Sequence, residues 1–174
     1  MFSKKKSKAF GRRAALPSSV DDVKQALRNK AIYLLFRRDH SRRELTRKLI
    51  QKGFPANTIT PVLDELENEG LLNEQRFIGS FIRSRRARGF GPLKICAELK
   101  ERGIDRDLCL MHEEWQEELW QNSAIKLCAK RFGFIAEKSS EQKILQSRYL
   151  QQRGFTGLQI KIALSATDWN PVKD

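Results

Sequence analysis

Apolar residues recur along most of this chain with the spacing of an α-helix, and several of these segments end at a glycine. In RRELTRKLIQKGF, Leu45 and Leu49 belong to one apolar stripe, as expected for a helix that packs by one face. Ser41 precedes the stripe and Glu44 follows Ser41 by three residues, which is the pattern of a capping box. A helix is therefore predicted from about residue 42 to residue 52. No stretch alternates apolar and polar residues long enough to predict a strand.

Two further segments, PLKICAELKERGI and EQKILQSRYLQQRGF, align with this one on a glycine. The aligned glycines Gly53, Gly103 and Gly154 follow one another at intervals of 50 and 51 residues. In each segment a leucine stands four residues before the glycine, a basic residue directly before it and a large apolar residue directly after it. Because a helix C-terminus uses a left-handed glycine, a cation and an apolar residue in this order, each segment is predicted to end a helix.

Each repeat has room for a helix before and after the aligned one. In the first repeat, ALRNKAIYLLFRRD predicts the preceding helix. The following helix is predicted to have Thr58 as its cap, Pro61 in its first turn and Gly70 at its end. Asn73 is expected to cap the first helix of the second repeat.

The last helix of the second repeat is predicted to begin near Asp105. Its apolar positions are Leu108, Leu110, Met111 and Trp115. The third repeat predicts helices at about 120–131, 140–153 and 156–166.

The expected fold is all-α, with three tandem three-helix repeats. Units of about 50 residues bury too little surface alone, so they should stack into an elongated, curved array. The predicted divisions are a basic flexible N-terminal arm at 1–20, repeats at 21–72, 73–117 and 118–168, and a C-terminal tail at 169–174.

The chain has 174 residues and a formal net charge of +13, which favours nucleic acid or an acidic protein as partner. The longest apolar run, AIYLLF, is far shorter than the roughly 18–20 residues that span a bilayer. A soluble protein without a membrane partner is therefore expected. The first seventeen residues are basic and free of acidic residues, which indicates a flexible arm, with a transit peptide as the alternative.

The chain offers little for metal or catalytic chemistry. Cys96, Cys109 and Cys128 lack CxxC spacing, and only His40 and His112 could join them in a site. Buried or inert thiols and structural histidines are the expectation, with no metal, no cofactor and no enzymatic activity.

The stretch RSRRARGFGP at residues 83–92 could be a phosphate loop or a junction between helices. A Walker loop needs GxxxxGK followed by Ser or Thr, but Pro92 follows the second glycine, Gly91. The GxGxxG pattern also fails, because Lys94 occupies its third glycine position. The stretch is predicted to end one helix at Gly89 and to begin the next near Pro92.

The charge is segregated along the chain: the first two helices of a repeat are basic, and the third helix is acidic in the first two repeats. Nine basic residues are predicted to form one surface that contacts a partner: Arg42, Arg43, Arg47, Lys48, Arg83, Arg85, Arg86, Arg88 and Lys94. Simple solvation of these helix faces is the alternative.

Two acidic rows are predicted to be solvated helix faces rather than metal sites. They are Asp64, Glu65, Glu67 and Glu69, and Glu113, Glu114, Glu117 and Glu118. Helically spaced aromatics are predicted to pack in the core rather than stack on bases: Phe77, Phe81, Trp115, Trp120 and Phe132.

Three blocks resemble the bacterial RecX regulatory proteins. They are RRDHSRRELTRKLIQKGF, VLDELENEGLLNEQRFIGSFIRSRRARGFGPLKICAELKERGI, and KRF followed by SRYLQQRGF. The middle block is the most specific, with Asn73 and Glu74 in place of the two aspartates of the family pattern. The resemblance runs from about 26 to 166, is loosest in the third repeat and leaves out the basic arm.

The resemblance implies a cytoplasmic, non-enzymatic modulator of the RecA recombinase in DNA repair and recombination. A monomer is expected. Such a protein binds the RecA filament on single- or double-stranded DNA and usually restrains ATPase, strand-exchange and coprotease activities. Charge reversal of Arg85, Arg86 and Arg88 is then expected to weaken inhibition and leave the helical fold intact. The alternative is a protein that coats DNA without sequence preference, and a nuclease is a more distant one.

Overall fold

The computed structural model describes residues 19–134 and 138–166 of the chain. Across these residues it shows helices and no strand, which confirms the all-α helical repeat fold. The helices are α1 (Val20–Arg37), α2 (Arg42–Gln51), α3 (Ala56–Asn68), α4 (Glu74–Ala87), α5 (Pro92–Glu101), α6 (Arg106–Leu110), α7 (Glu117–Phe132), α8 (Ser140–Arg153) and α9 (Gly157–Ser165). The predicted arm, but for its last two residues, and the predicted tail lie outside the described residues.

The aligned glycines end α2, α5 and α8 as predicted. Gly53, Gly103 and Gly154 have φ of 90°, 85° and 89°, a left-handed conformation in which glycine is least strained. In the first repeat the Phe54 amide donates to the Leu49 carbonyl at 3.2 Å. This bond closes a Schellman motif, and the other two repeats have its equivalent. The local sequence therefore decides where the middle helix of each repeat ends.

Buried residues form three clusters in succession along the chain. The first joins α1, α2 and α3, the second centres on α4, α5 and α6, and the third lies among α7, α8 and α9. Trp120 of α7 is fully buried and belongs to the second cluster. Since Trp120 inserts into the preceding unit, the last two units share part of their apolar core. The unit boundaries and the curvature of the array stay predictions.

Two helices differ from the expectation. Thr58 is not the cap of α3, because the helix already begins at Ala56 and Thr58 donates to the Pro55 carbonyl at 2.8 Å. Pro61 consequently lies in the second turn of α3. Pro61 has no backbone N–H, so the Asn57 carbonyl receives no helical hydrogen bond from it. Both residues are exposed, so water can bond that carbonyl instead.

The second difference is at α6, which ends at Leu110 rather than continuing to Trp115. The His112 ring accepts a hydrogen bond from the Glu114 amide at 3.1 Å, and such local side-chain bonds compete with helix. Trp115 packs against Trp120 of α7, with ring centroids 5.2 Å apart. Met111 is left 86% exposed instead of joining an apolar face.

The middle helices lie head to tail. The Ser41 hydroxyl at the start of α2 donates to the Arg102 carbonyl at the end of α5, at 2.7 Å. The Gly91 amide at the start of α5 likewise donates to the Arg153 carbonyl at the end of α8, at 2.8 Å, and the Leu93 amide bonds Gly154 beside it. Each N-terminus thus meets the C-terminus of the next middle helix, which aligns opposite ends of the helix dipoles.

Candidate interaction surface

The stretch RSRRARGFGP is a junction between helices and between units. Arg83, Arg85 and Arg86 lie in the last turns of α4, Gly89 has φ 76°, and Pro92 is the first residue of α5. This confirms the predicted end of one helix and start of the next. Gly91 approaches the backbone of Gly154 so closely that an added Cβ would lie 2.5 Å from its carbonyl. The glycine is therefore required by packing between the units.

On α2, Arg42 is tied to the neighbouring helix. Its guanidinium donates to Asp64 and Glu67 of α3, both at 2.6 Å. The same acidic row continues with Glu65, which pairs with Lys24 of α1 at 2.6 Å. This row was expected to be a solvated face, but it forms ion pairs that join α3 to α1 and α2.

Lys48 is also engaged within the first unit. Its ammonium donates to Nε2 of His40 at 2.9 Å, while Nδ1 of His40 donates to the Arg38 carbonyl at 2.9 Å. His40 is 2% exposed. Burial lowers the pKa of His40, and the charges of Arg38 and Lys48 lower it further. The histidine therefore stays neutral and structural.

Ser41 accepts from the Glu44 amide as predicted. The Glu44 carboxylate does not complete the box, because it pairs with Arg38. Burial would raise the pKa of Glu44, but hydrogen bonding to Arg38 and the nearby cations lower it on balance.

At the end of α4, Arg83 and Arg86 both bind Glu114, each at 2.8 Å. Arg86 also donates to the Glu114 carbonyl at 3.1 Å and lies over the ring of Trp120 at 5.5 Å. Burial would raise the pKa of Glu114, but the two arginines hold it below its usual value. Glu114 is thus part of a clamp on the loop before α7, not of a solvated acidic face.

Arg85 is also half-buried. It forms an ion pair with Glu98 of α5 at 2.7 Å and lies between Phe81 and Phe90, at 5.2 and 5.6 Å from the ring centroids. Since Arg85 and Arg86 are both built into the packing, reversing their charges would disturb the fold. The expectation that such a variant keeps its fold intact is therefore replaced by one of destabilisation.

Four of the nine predicted residues remain exposed without an ion pair among the described residues. They are Arg43, Arg47, Arg88 and Lys94. Lys94 lies over Phe90 at 4.8 Å, and Arg153 of α8 lies over the same ring at 5.5 Å. Arg153 was not among the nine predicted contact residues, although it stands directly before a repeated glycine.

The predicted aromatic core is present at Phe77 and Trp120, which are 2% and 0% exposed. Cys109 and Cys128 are buried, and Cys96 is partly buried. Burial raises the pKa of Cys109 to about 12, with Cys96 adding to the shift. A thiol with such a pKa is a poor nucleophile near neutral pH.

Over the described ranges, 19–134 and 138–166, no group of three or more His, Cys, Asp or Glu side chains could hold a metal ion. No helix in the same ranges is long and apolar enough to cross a membrane.

The chain is thus a helical repeat protein, and its successive middle helices carry exposed basic side chains. The comparisons with known proteins agree with this class. The family models described as "RecX, first three-helix domain" and "RecX, second three-helix domain" match residues 28–66 and 73–109.

Named relatives cover most of the chain. The "Regulatory protein RecX" of Pseudomonas entomophila is 42% identical over 159 residues, covering 87% of this chain and 97% of the relative. That of Halorhodospira halophila is 38% identical over 151 residues, covering 87% of this chain and 94% of the relative. The chain belongs to the RecX family.

Solved structures support the fold. The crystal structure of RecX from Lactobacillus salivarius has a TM-score of 0.72 at 20% identity, covering 86% of this chain and 99% of that one. A second RecX crystal structure has a TM-score of 0.70 at 18% identity, covering 84% of this chain and 75% of that one.

Proposed function

We propose that this protein binds the RecA–DNA filament as a monomer in the bacterial cytoplasm and restrains the ATPase, strand-exchange and coprotease activities of RecA. Membership of the RecX family is the observation that carries the proposal. The role is regulatory rather than catalytic. The helical repeat arrangement supports it, because successive units can follow successive subunits of a filament.

The contact surface in this proposal centres on the four exposed, unpaired cations. Arg43 and Arg47 lie on α2, while Arg88 and Lys94 flank the junction between α4 and α5. Cations that are not neutralised by their own fold can meet acidic protein surface or phosphate. The paired residues, such as Arg86, contribute by holding the units in place.

The test is a titration of the protein into a RecA–single-stranded-DNA ATPase assay, at well below one copy per RecA. The titration is repeated with excess bare DNA as competitor. We expect inhibition that survives the competitor, because the filament is the target. Inhibition that the competitor removes, or no inhibition, would contradict the proposal.

Coating of DNA without sequence preference is the second candidate, favoured by the net charge of +13 and the exposed cations. It requires log affinity for bare DNA to fall with log salt with a slope of about −5, for roughly six neutralised phosphates. Weak binding to bare DNA with a shallow slope would rule it out.

A further inference from the structure

A cleft lined by several of the predicted basic residues lies between the first and second units. This cleft has a volume of about 690 Å³. One wall is α2, and the other is formed by the end of α5 and the start of α4. The volume is within the usual range of a binding pocket.

The α2 wall is cationic at one end and apolar at the other. Arg43 and Arg47 are exposed, lack an ion pair among the described residues, and stand four residues apart on one helix face. Ile50 follows on the same face, three residues after Arg47, and is 49% exposed. The wall can thus take an acidic group and an apolar group side by side.

The facing wall contributes two carboxylates and Arg102, whose guanidinium donates to a backbone carbonyl of α5. Glu74 of α4 and Glu101 of α5 line the cleft, and neither has an ion pair among the described residues. Burial raises the pKa of Glu74, and the charge of Glu67 adds to the shift, while Arg42 opposes it. Among the described residues, the cleft brings the unpaired carboxylates of Glu74 and Glu101 to the same opening as two unpaired guanidinium groups and the exposed Ile50.

This distribution of charge distinguishes between the two kinds of macromolecular partner. A nucleic-acid backbone carries only negative charge, so Glu74 and Glu101 would repel it. A peptide segment can carry an acidic, an apolar and a basic side chain in the order that the two walls require. Charge complementarity therefore favours protein over DNA in the cleft.

We propose that the cleft between the first two units docks a short segment of the partner protein. Its acidic side chain pairs with Arg43 and Arg47, its apolar side chain covers Ile50, and its basic side chain meets Glu74 and Glu101. The segment belongs to RecA, and this assignment rests on the proposed function.

The substitution Glu101→Lys should change the affinity for the RecA filament and the affinity for bare DNA in different directions. Binding of the fluorescently labelled protein is measured by anisotropy, on RecA filaments assembled on single-stranded DNA and on the same DNA without RecA. We expect Glu101→Lys to weaken filament binding by about tenfold, the size of one interfacial charge pair. Bare DNA binding should be unchanged or tighter, because the variant adds positive charge.

The matched control is Glu113→Lys, which makes the same charge change at an exposed residue outside the cleft. It should not weaken filament binding.

A second variant, Ile50→Ser, changes no charge and should weaken filament binding while leaving DNA binding and its salt slope unaltered. Its control is Ile144→Ser on α8, where the isoleucine is 59% exposed. Far-UV circular dichroism verifies the fold of each variant.

Two outcomes would overturn the cleft assignment without contradicting the proposed function. In the first, the Glu101→Lys variant binds the filament with the affinity of the wild type. In the second, it binds both the filament and bare DNA more tightly than the wild type does. A wild-type protein that binds the filament no better than bare DNA would instead overturn the proposed function, and with it the assignment of the segment to RecA. The wild-type measurement therefore separates the two failures.

Discussion

Replacing Arg86 by alanine should lower the free energy of unfolding by about 3–5 kcal/mol, the sum of two hydrogen bonds of a charged group and a cation–π contact. The structure supplies each part: one bond to the Glu114 carboxylate at 2.8 Å, one to its carbonyl at 3.1 Å, and the ring of Trp120 at 5.5 Å. Only 17% of the Arg86 side chain is exposed, so solvent screens these contacts weakly.

Arg83 provides the matched comparison, since it binds the same carboxylate at the same 2.8 Å but its side chain is 53% exposed. An exposed pair contributes little, so Arg83→Ala should cost less than about 1 kcal/mol. Urea unfolding followed by far-UV circular dichroism measures both variants. Equal losses from the two arginines, or a loss below about 0.5 kcal/mol at Arg86, would refute the reasoning from burial.

The same clamp has a pH dependence. Because the folded-state pKa of Glu114 is depressed, its contribution is fully present above the unfolded value of 4.5 and is lost as pH falls through the folded value. The difference between the wild type and Arg86→Ala should therefore shrink in acid. A difference that stays constant to the lowest pH at which the protein folds would mean that Arg86 acts through packing alone.

Three further outcomes are expected. Because folding lowers the pKa of His40, the contribution of His40 to stability should be full above pH 6.5, the unfolded value, and should decline as the pH falls below 6.5. Urea unfolding midpoints measured from about pH 7.5 to 5.5 should show this decline, and His40→Gln should make it smaller. Gly91→Ala should lower the free energy of unfolding, measured in urea, by about 1–3 kcal/mol, because the new Cβ would lie 2.5 Å from the Gly154 carbonyl. Gly157→Ala should leave stability nearly unchanged, because the space around Gly157 is open. A thiol reagent at neutral pH should label Cys109 only as fast as the protein unfolds, and rapid labelling at Cys109 in the native protein would contradict the burial of that thiol.

The helix ends are where sequence alone performed best. The pattern around Gly53, Gly103 and Gly154 predicts three helix ends at a left-handed glycine, and all three are present as Schellman motifs. Asn73 likewise caps α4, accepting from the Arg76 amide at 2.8 Å. Caps and helix periodicity involve residues only a few positions apart, so the sequence determines them almost directly.

Helical periodicity was a poor guide to the end of α6. The apolar residues Leu108, Leu110 and Met111 predicted a longer α6, but Trp115 packs on Trp120 instead and the helix ends early. Periodicity shows that residues share a face, but not whether another element will cover that face.

The candidate surface was predicted as a set of basic residues, and tertiary structure decided which of them remain available. Arg86 and Arg88 stand two positions apart, yet one is clamped to Glu114 while the other is exposed. The cleft between the first two units could not be predicted either, because Arg47 and Glu101 are brought to one opening only by the docking of α2 on α5. Sequence determined most of the helices, the ends marked by the repeated glycines and the sign of the charge, because these follow from neighbours along the chain. Which charges are neutralised and which face a partner depends on contacts between residues far apart in sequence, and only the packed units fix those contacts.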